Sequence, residues 1–235
     1  MNFFKKIRQF FEGSKERTSK YGSPDVTLTN PYIDSEAISS LSVASRKLES
    51  ELGMKSTGRC GICVKDVSVQ SFHEMKKYIE NFLGIASDKK NENRISFSFE
   101  SLLDEYNYLW FILKGNSIED LLTGINAIGD TVHEKGFSRQ ILAAVFEYTS
   151  GYTNKSSYDD PTFALTDQNK YQYLIYNYKR DNFYPFVPAI PKIDDKRKRD
   201  NNMEVKIMEE ISNDIPFEKD LSQWYPIWNI PFNHL

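Results

Sequence analysis

Two cysteines in CGIC (60–63) are the residues best suited to redox or metal chemistry in this chain of 235 residues. A reactive CxxC pair needs its first cysteine at a helix N-terminus, where the helix end favours the thiolate. The surrounding TGRCGICVKDVSV (57–69) instead reads as a strand. Along a strand, residues three apart point to opposite faces, which disfavours a disulfide or a shared metal between Cys60 and Cys63. A zinc site would also need two of His73, His133 and His234, and none of these lies at ligand spacing to another. HE occurs at 73–74 and 133–134 without HExxH, and no GxSxG, P-loop or GxGxxG is present. Asp159–Asp160 and Asp194–Asp195 fall in polar stretches that read as solvated loops. The expectation is no catalytic set, no metal and no cofactor. A thiol or metal enzyme using Cys60 and Cys63 is the rival reading.

Aromatic and cationic residues form the second set that could recognise something. YQYLIYNYKRDNFYPF (171–186) holds seven aromatics beside Lys179 and Arg180. Stacking rings among cations can bind single-stranded nucleic acid, but the body of the chain is acidic and no RNP pattern occurs. Nucleic acid is therefore not expected. Tyr, Trp and Arg also dominate protein-binding hot spots. That makes Tyr176, Tyr178, Lys179, Arg180, Tyr184, Phe186, Trp224, Tyr225 and Trp228 candidates for a partner surface. The opposing reading is that strand aromatics pack on the sheet and that the Pro-punctuated tail (EKDLSQWYPIWNIPFNHL) straps across its own domain.

The third set lies at the start, MNFFKKIRQFFEGSKER. On a helix, Phe3, Phe4, Ile7, Phe10 and Phe11 fall within an arc of about 120°. Lys6 and Arg8 flank the stripe, with their charged heads free to stay in water, and Lys5, Gln9 and Glu12 sit opposite. Residues 1–20 carry six cations against two acids, a net of +4, so the rest of the chain carries −7 of the total −3. A basic arm on an acidic body points to an anionic partner. Residues 2–12 are read as an interfacial helix on an anionic membrane, with Phe3, Phe4, Lys5, Lys6, Ile7, Arg8, Phe10 and Phe11 as contacts. Packing on the chain's own body is the alternative. No apolar run has the roughly 18 residues of a membrane span, and the charges interleaved in the arm do not make a signal peptide. A cytoplasmic protein, peripheral to the membrane, is expected, with self-association left open.

The elements that must position these residues follow from periodicity. Residues 1–33 read as the basic arm and a linker, and 34–235 as one α+β domain with excursions at 151–169 and 189–202. Asp34 opens a helix over 34–52 with Ile38, Leu41, Ala44, Leu48 and Leu52 on one face, closed by Gly53. Ser71 and Glu74 form a capping-box pair for a helix with Phe72, Met75, Tyr78, Ile79, Phe82 and Leu83 inside. RISFSFE (94–100) alternates as a half-buried strand, and YLWFILKG (108–115) reads as a central one. Ser117 caps a helix running to Gly136, followed by strands at 140–148 and 171–179 and a last helix near 203–215. From 57 to 148 the order is β-α-β-β-α-β, which is the ferredoxin-like order: an antiparallel sheet with helices on one face. An N-terminal helix and a C-terminal strand and helix extend it. A small α+β fold of the secretion-chaperone kind is the alternative.

The chain resembles the PspA-associated protein PspAB family. The resemblance lies in TGRCGICVK, LLTGINAIGDTVHEKGFSRQILAAVFEY, YLIYNYKRDNFYPFVP and EKDLSQWYPIWNIPF, which together cover most of 35–235 in the family's order. It implies association with PspA, a membrane-remodelling stress protein, and some members lie beside a membrane-embedded zinc protease. It implies no reaction, cofactor or catalytic residue. Tyr176–Arg180, Tyr184–Phe186, Trp224, Tyr225, Trp228 and Phe232 carry over as family hallmarks without roles. The expected function is a non-enzymatic adaptor or regulator of a membrane-stress response that contacts a PspA-like partner. A chaperone-like module that grips amphipathic helices is the alternative.

Overall fold

The computed structural model describes residues 35–88, 96–150, 171–189 and 197–232. Residues 2–12, and with them all eight expected membrane contacts, lie outside the described residues, as do Asp34, Arg94 and Ile95.

The architecture is α+β: six antiparallel strands with a layer of helices. The chain runs α1 (Ser35–Ser39), α2 (Leu41–Leu52), β1 (Met54–Lys65), α3 (Gln70–Ser87), β2 (Phe97–Leu103), β3 (Tyr108–Gly115), α4 (Ile118–Glu134), β4 (Ile141–Ser150), β5 (Tyr171–Asn177), β6 (Asn182–Phe186) and α5 (Asn201–Ile211). The sheet order is β2-β3-β1-β4-β5-β6. A small pair, β7 (Pro188–Ala189) and β8 (Lys198–Arg199), lies beside it. Helix α3 packs on β2, α4 on β1 and β3, and α2 on β1, while α5 lies against β6 and α2. Because α3 also touches α4, and α4 touches α2, the helices form one continuous layer.

Periodicity explains most of this. Ser117 caps α4 by accepting the Asp120 backbone N–H at 3.3 Å, and Leu121, Ile125, Ile128 and Val132 are buried along its inner face. The expected capping box before α3 is absent. The helix begins at Gln70, one residue ahead of Ser71, and Val69 holds the cap position with no side-chain bond. The long first helix is two, broken at Ser40, whose hydroxyl donates back to the Ala37 carbonyl. The expected strand at 57–69 instead spans Met54–Lys65. One further strand, β6, was hidden by Pro185, since a proline cannot donate to a ladder and argues against a central strand. It is the edge strand of the sheet, where a proline is tolerated, and residues 216–218 run alongside it through one bridge. Phe183 donates its N–H to the Pro216 carbonyl, and Glu218 donates to the Phe183 carbonyl, both at 2.8 Å.

Strand alternation divides the buried residues between two faces. Cys60, Ile62, Phe111, Leu113, Phe146 and Tyr176 share the helix-facing side, since each is a cross-strand partner of another in that set or of its neighbour. The opposite side carries Gly61, Cys63, Trp110, Val145, Ile175, Tyr184 and Phe186. No described helix covers this side. The C-terminal tail does. Phe232 stands edge-on to Trp110 at 6.3 Å and tilts over Tyr173 at the same distance. Trp228 stands edge-on to Phe186 at 4.9 Å. Gly61 makes room for this: a Cβ there would lie 2.9 Å from the Phe232 ring and 3.3 Å from Trp110.

Burying a Phe side chain stabilises by roughly 1.5–3 kcal/mol, and deleting one from a packed site also leaves a cavity. Phe232→Ala is expected to lower unfolding free energy by about 3 kcal/mol in urea titration. Gly61→Val should cost at least as much by displacing the same ring. The double variant should be markedly less than additive, because both changes remove one contact; full additivity would place Phe232 elsewhere.

Candidate functional site

The nine expected partner-facing residues separate sharply. Tyr176, Tyr184, Phe186 and Trp224 are core residues, at most 4% exposed. This corrects their reading as a free surface. Tyr176 faces the helix layer through cross-strand pairs with Ala144 and Phe183, while Tyr184 and Phe186 face the tail. Tyr184 donates its hydroxyl to the Tyr225 carbonyl at 3.0 Å, and the Trp224 indole donates to the Glu218 carbonyl at 2.9 Å. Tyr178 is half-buried, its ring edge-on to Tyr176 and against Gly129 of α4. Trp228 is half-buried beneath the Arg197 guanidinium, 5.7 Å from its ring centre.

Lys179, Arg180 and Tyr225 are exposed, Tyr225 at 56%. They share a corner. Lys179 and Arg180 form the β5–β6 turn, which closes at Asp181 with φ 52°. Arg180 bonds Glu218 at the root of the tail, and Tyr225 lies close enough to act on the Arg180 charge. That bond holds the Glu218 carboxyl below its usual range, helped by the Asp220 backbone N–H. Leu221, 55% exposed, belongs to the same stretch of tail. The result is a small surface of two cations, one aromatic and one aliphatic side chain.

A second group of residues went unnoticed in the sequence. Between Ser56↔Tyr148 and Cys60↔Phe146, β1 advances four residues while β4 advances two. The surplus is a bulge at Thr57-Gly58-Arg59. Gly58 has φ +77°, and a Cβ there would sit 2.2 Å from the Gly115 carbonyl oxygen, so no other residue fits without moving β3. The bulge aims two side chains at one carboxylate. Thr57 donates to Glu147 Oε1 at 2.8 Å, Arg59 Nη1 donates to the same oxygen at 3.3 Å, and the Tyr173 hydroxyl reaches Oε2 at 3.4 Å. Glu147 is 2% exposed. Burial raises its pKa, against the lowering effects of Thr57, Arg59 and Tyr173. Its neighbour Tyr173 is raised by burial and then by the Glu147 charge. The signals in the sequence are a glutamate inside the otherwise apolar run of β4 and the glycine at 58.

Glu147 and Tyr173 also line a cleft of about 770 Å³ between the sheet and the tail. Tyr171, Phe186 and Trp228 give it aromatic walls, Asp104 and Glu105 lie at its β2–β3 end, and Arg197 and Asn229 lie on the tail side. Asp104 is occupied, accepting from the Trp110 indole at 2.9 Å and from two backbone N–H groups.

The cysteines are both buried, one on each face of the sheet, and unpaired with each other. Burial raises both thiols, and Asp104 adds to the effect on Cys63. Raised thiols are poor nucleophiles and poor metal ligands. Among the described residues, no group of three or more His, Cys, Asp or Glu is placed to hold a metal ion. Among them, too, no helix is long and apolar enough to cross a membrane.

The family model for PspA associated protein B matches residues 26–232, which include the bulge, Glu147, the turn at 179–180 and the tail. The chain belongs to the PspAB family. No curated protein and no solved structure matches it. The matched span begins after the basic arm of residues 1–20.

Removing one partner of a buried charged pair leaves the other without compensation. Arg59→Ala is expected to destabilise by about 2–4 kcal/mol at pH 7, with Glu147 left the more costly to ionise. The folded state then holds the Glu147 proton to higher pH than the unfolded state does. Stability of the variant must therefore fall as pH rises above the ordinary carboxylate range. The deficit relative to wild type should be small near pH 4 and full by pH 7, read from urea midpoints across that range. A deficit independent of pH would mean that Arg59 acts by packing alone.

Proposed function

We propose that this PspAB protein is a non-enzymatic cytoplasmic adaptor or regulator of a membrane-stress response, working at the inner face of the membrane with a PspA-like partner. Family membership over 26–232 is the observation that carries it, since the family's name associates it with PspA. The corner of Lys179, Arg180 and Tyr225 is the part of the expected partner surface that is accessible, and it mixes cationic and aromatic groups of the kind enriched at hot spots. Membrane contact falls to residues 2–12. Their basic side chains add about 1 kcal/mol each near an anionic surface, and the five apolar ones bury only in part there. The sum supports reversible attachment that a second contact, such as the partner, makes firm. We further read residues 57–148 as a ferredoxin-like unit on which β5, β6 and the tail are built.

The cleft between tail and sheet favours one other reading, a module that grips an amphipathic helix. The thiol-enzyme rival gains nothing from two buried cysteines on opposite faces.

Affinity capture from the native host distinguishes these. The full chain is expected to retain a PspA-like protein. Lys179→Glu combined with Tyr225→Ala should weaken capture at least tenfold with a nearly unchanged melting temperature. Equal capture by both proteins would remove the corner from the interface. Deleting residues 1–20 should abolish salt-sensitive binding to anionic liposomes and leave the melting temperature unchanged. A large fall in melting temperature, with no liposome binding by the intact chain, would show that the phenylalanines are core.

A further inference from the structure

We propose that the cleft between the tail and the sheet is the docking site of the chain's own N-terminal arm, residues 2–12, so that cleft and membrane compete for the arm's one apolar stripe. This rests on the reading of those residues as an amphipathic helix. Three observations select the arm as occupant. First, the chemistry matches. The cleft offers Tyr171, Tyr173 and Trp228, with Phe186 buried behind them, to an arm whose apolar stripe is four phenylalanines and one isoleucine. Aromatic edges and faces pair well with one another and with flanking Lys or Arg. Arg197 over Trp228 already shows a cation against this wall.

Second, the charges are complementary. The arm region carries +4 and the rest of the chain −7. At the mouth of the cleft, Asp104 and Glu105 sit together, and Glu105 is exposed. Third, the tether reaches. From Glu12 to Ser35, where α1 begins, the chain advances 23 residues. At about 3.3 Å per residue that spans roughly 75 Å. A body of about 200 residues has a radius of gyration near 16 Å, so the arm can pass from the helix layer to the opposite face with length to spare. A tether of this kind also gives an effective concentration in the millimolar range, so weak complementarity suffices. A cleft of about 770 Å³ holds the side chains of one helix face and leaves the cationic flank outside. Attachment to a membrane then requires release of the arm, and a partner that occupies the cleft would free it.

The test uses the full-length protein with Phe10→benzoylphenylalanine, irradiated and digested for mass spectrometry. Linkage to peptides carrying Leu102–Glu105, Phe186 or Trp228 is expected. It should fall severalfold in Glu105→Lys and on adding vesicles of phosphatidylglycerol and phosphatidylcholine. A mixture of ¹⁵N-labelled and unlabelled protein should give only links within one chain. Links to α2 or α5, links between chains, or no link at all would each overturn the proposal. Co-sedimentation with the same vesicles separates this result from the membrane reading. Vesicle binding without cleft links defeats docking alone, and cleft links without vesicle binding defeat the membrane role alone.

Discussion

A single sheet has two faces, and both must be dried if its strands are as apolar as β1, β3 and β4 are here. The helices dry one. Their inner residues, from Leu48 of α2 to Phe82 of α3 and Val132 of α4, meet Cys60, Leu113 and Phe146 on that side. The other face has no helix among the described residues, and the chain covers it with its own last segment. Phe232 at one end and the Phe217–Trp224 pair at the other fix a strap across Trp110, Ile175, Tyr184 and Phe186. A strap has no internal ladder, so its backbone must be satisfied from outside. Arg199 supplies one such contact by donating to the Trp224 carbonyl, and Tyr184 supplies another at Tyr225.

These contacts explain the buried charges. Glu204 is 1% exposed, yet it accepts two bonds from Arg199 and one from the Val187 backbone N–H. It holds Arg199 in the position from which the guanidinium reaches the strap. Arg180 and Glu218 do the same where the strap leaves β6. Breaking either pair removes more than an ion pair, because a strand edge and one face of the sheet depend on the strap staying in place. Such pairs add little stability against apolar replacements of the same shape. Here they serve geometry, fixing where an otherwise irregular segment runs.

Periodic segments were legible in the sequence; contacts between distant segments were not. The register of α4 with Ser117 as its cap, the strand at 108–115 and the terminator Gly53 can be read locally, because each depends on neighbours within a few residues. The antiparallel sheet with its helix layer followed from element order. What could not be read was which face an aromatic strand residue takes and what lies over it. Tyr176 and Tyr225 are both tyrosines of the same terminal third, one fully buried and the other exposed, and the difference is set by β4, β6 and the strap together. The Thr57–Arg59–Glu147 cluster was invisible for a related reason. It requires a two-residue register slip between strands almost ninety positions apart, and neither Glu147 in its apolar run nor the glycine at 58 reveals that pairing locally.

That slip also changes how TGRCGIC is understood. The cysteines draw attention in the sequence, but the glycines decide the local structure. Gly58 lets β1 bulge against β4 while passing close to the Gly115 carbonyl of β3, which turns Thr57 and Arg59 together onto Glu147. Gly61, three residues on and on the same face as Arg59, leaves the gap into which Phe232 settles. Cys60 and Cys63 are the small apolar fillers beside them, one under the helices and one under the strap. One seven-residue stretch thus sets both the polar wall of the cleft and the seat of the segment that encloses it. A change at either glycine would alter the site and its cover together, which is why this stretch and the terminal aromatics are best regarded as one structural unit despite lying at opposite ends of the domain.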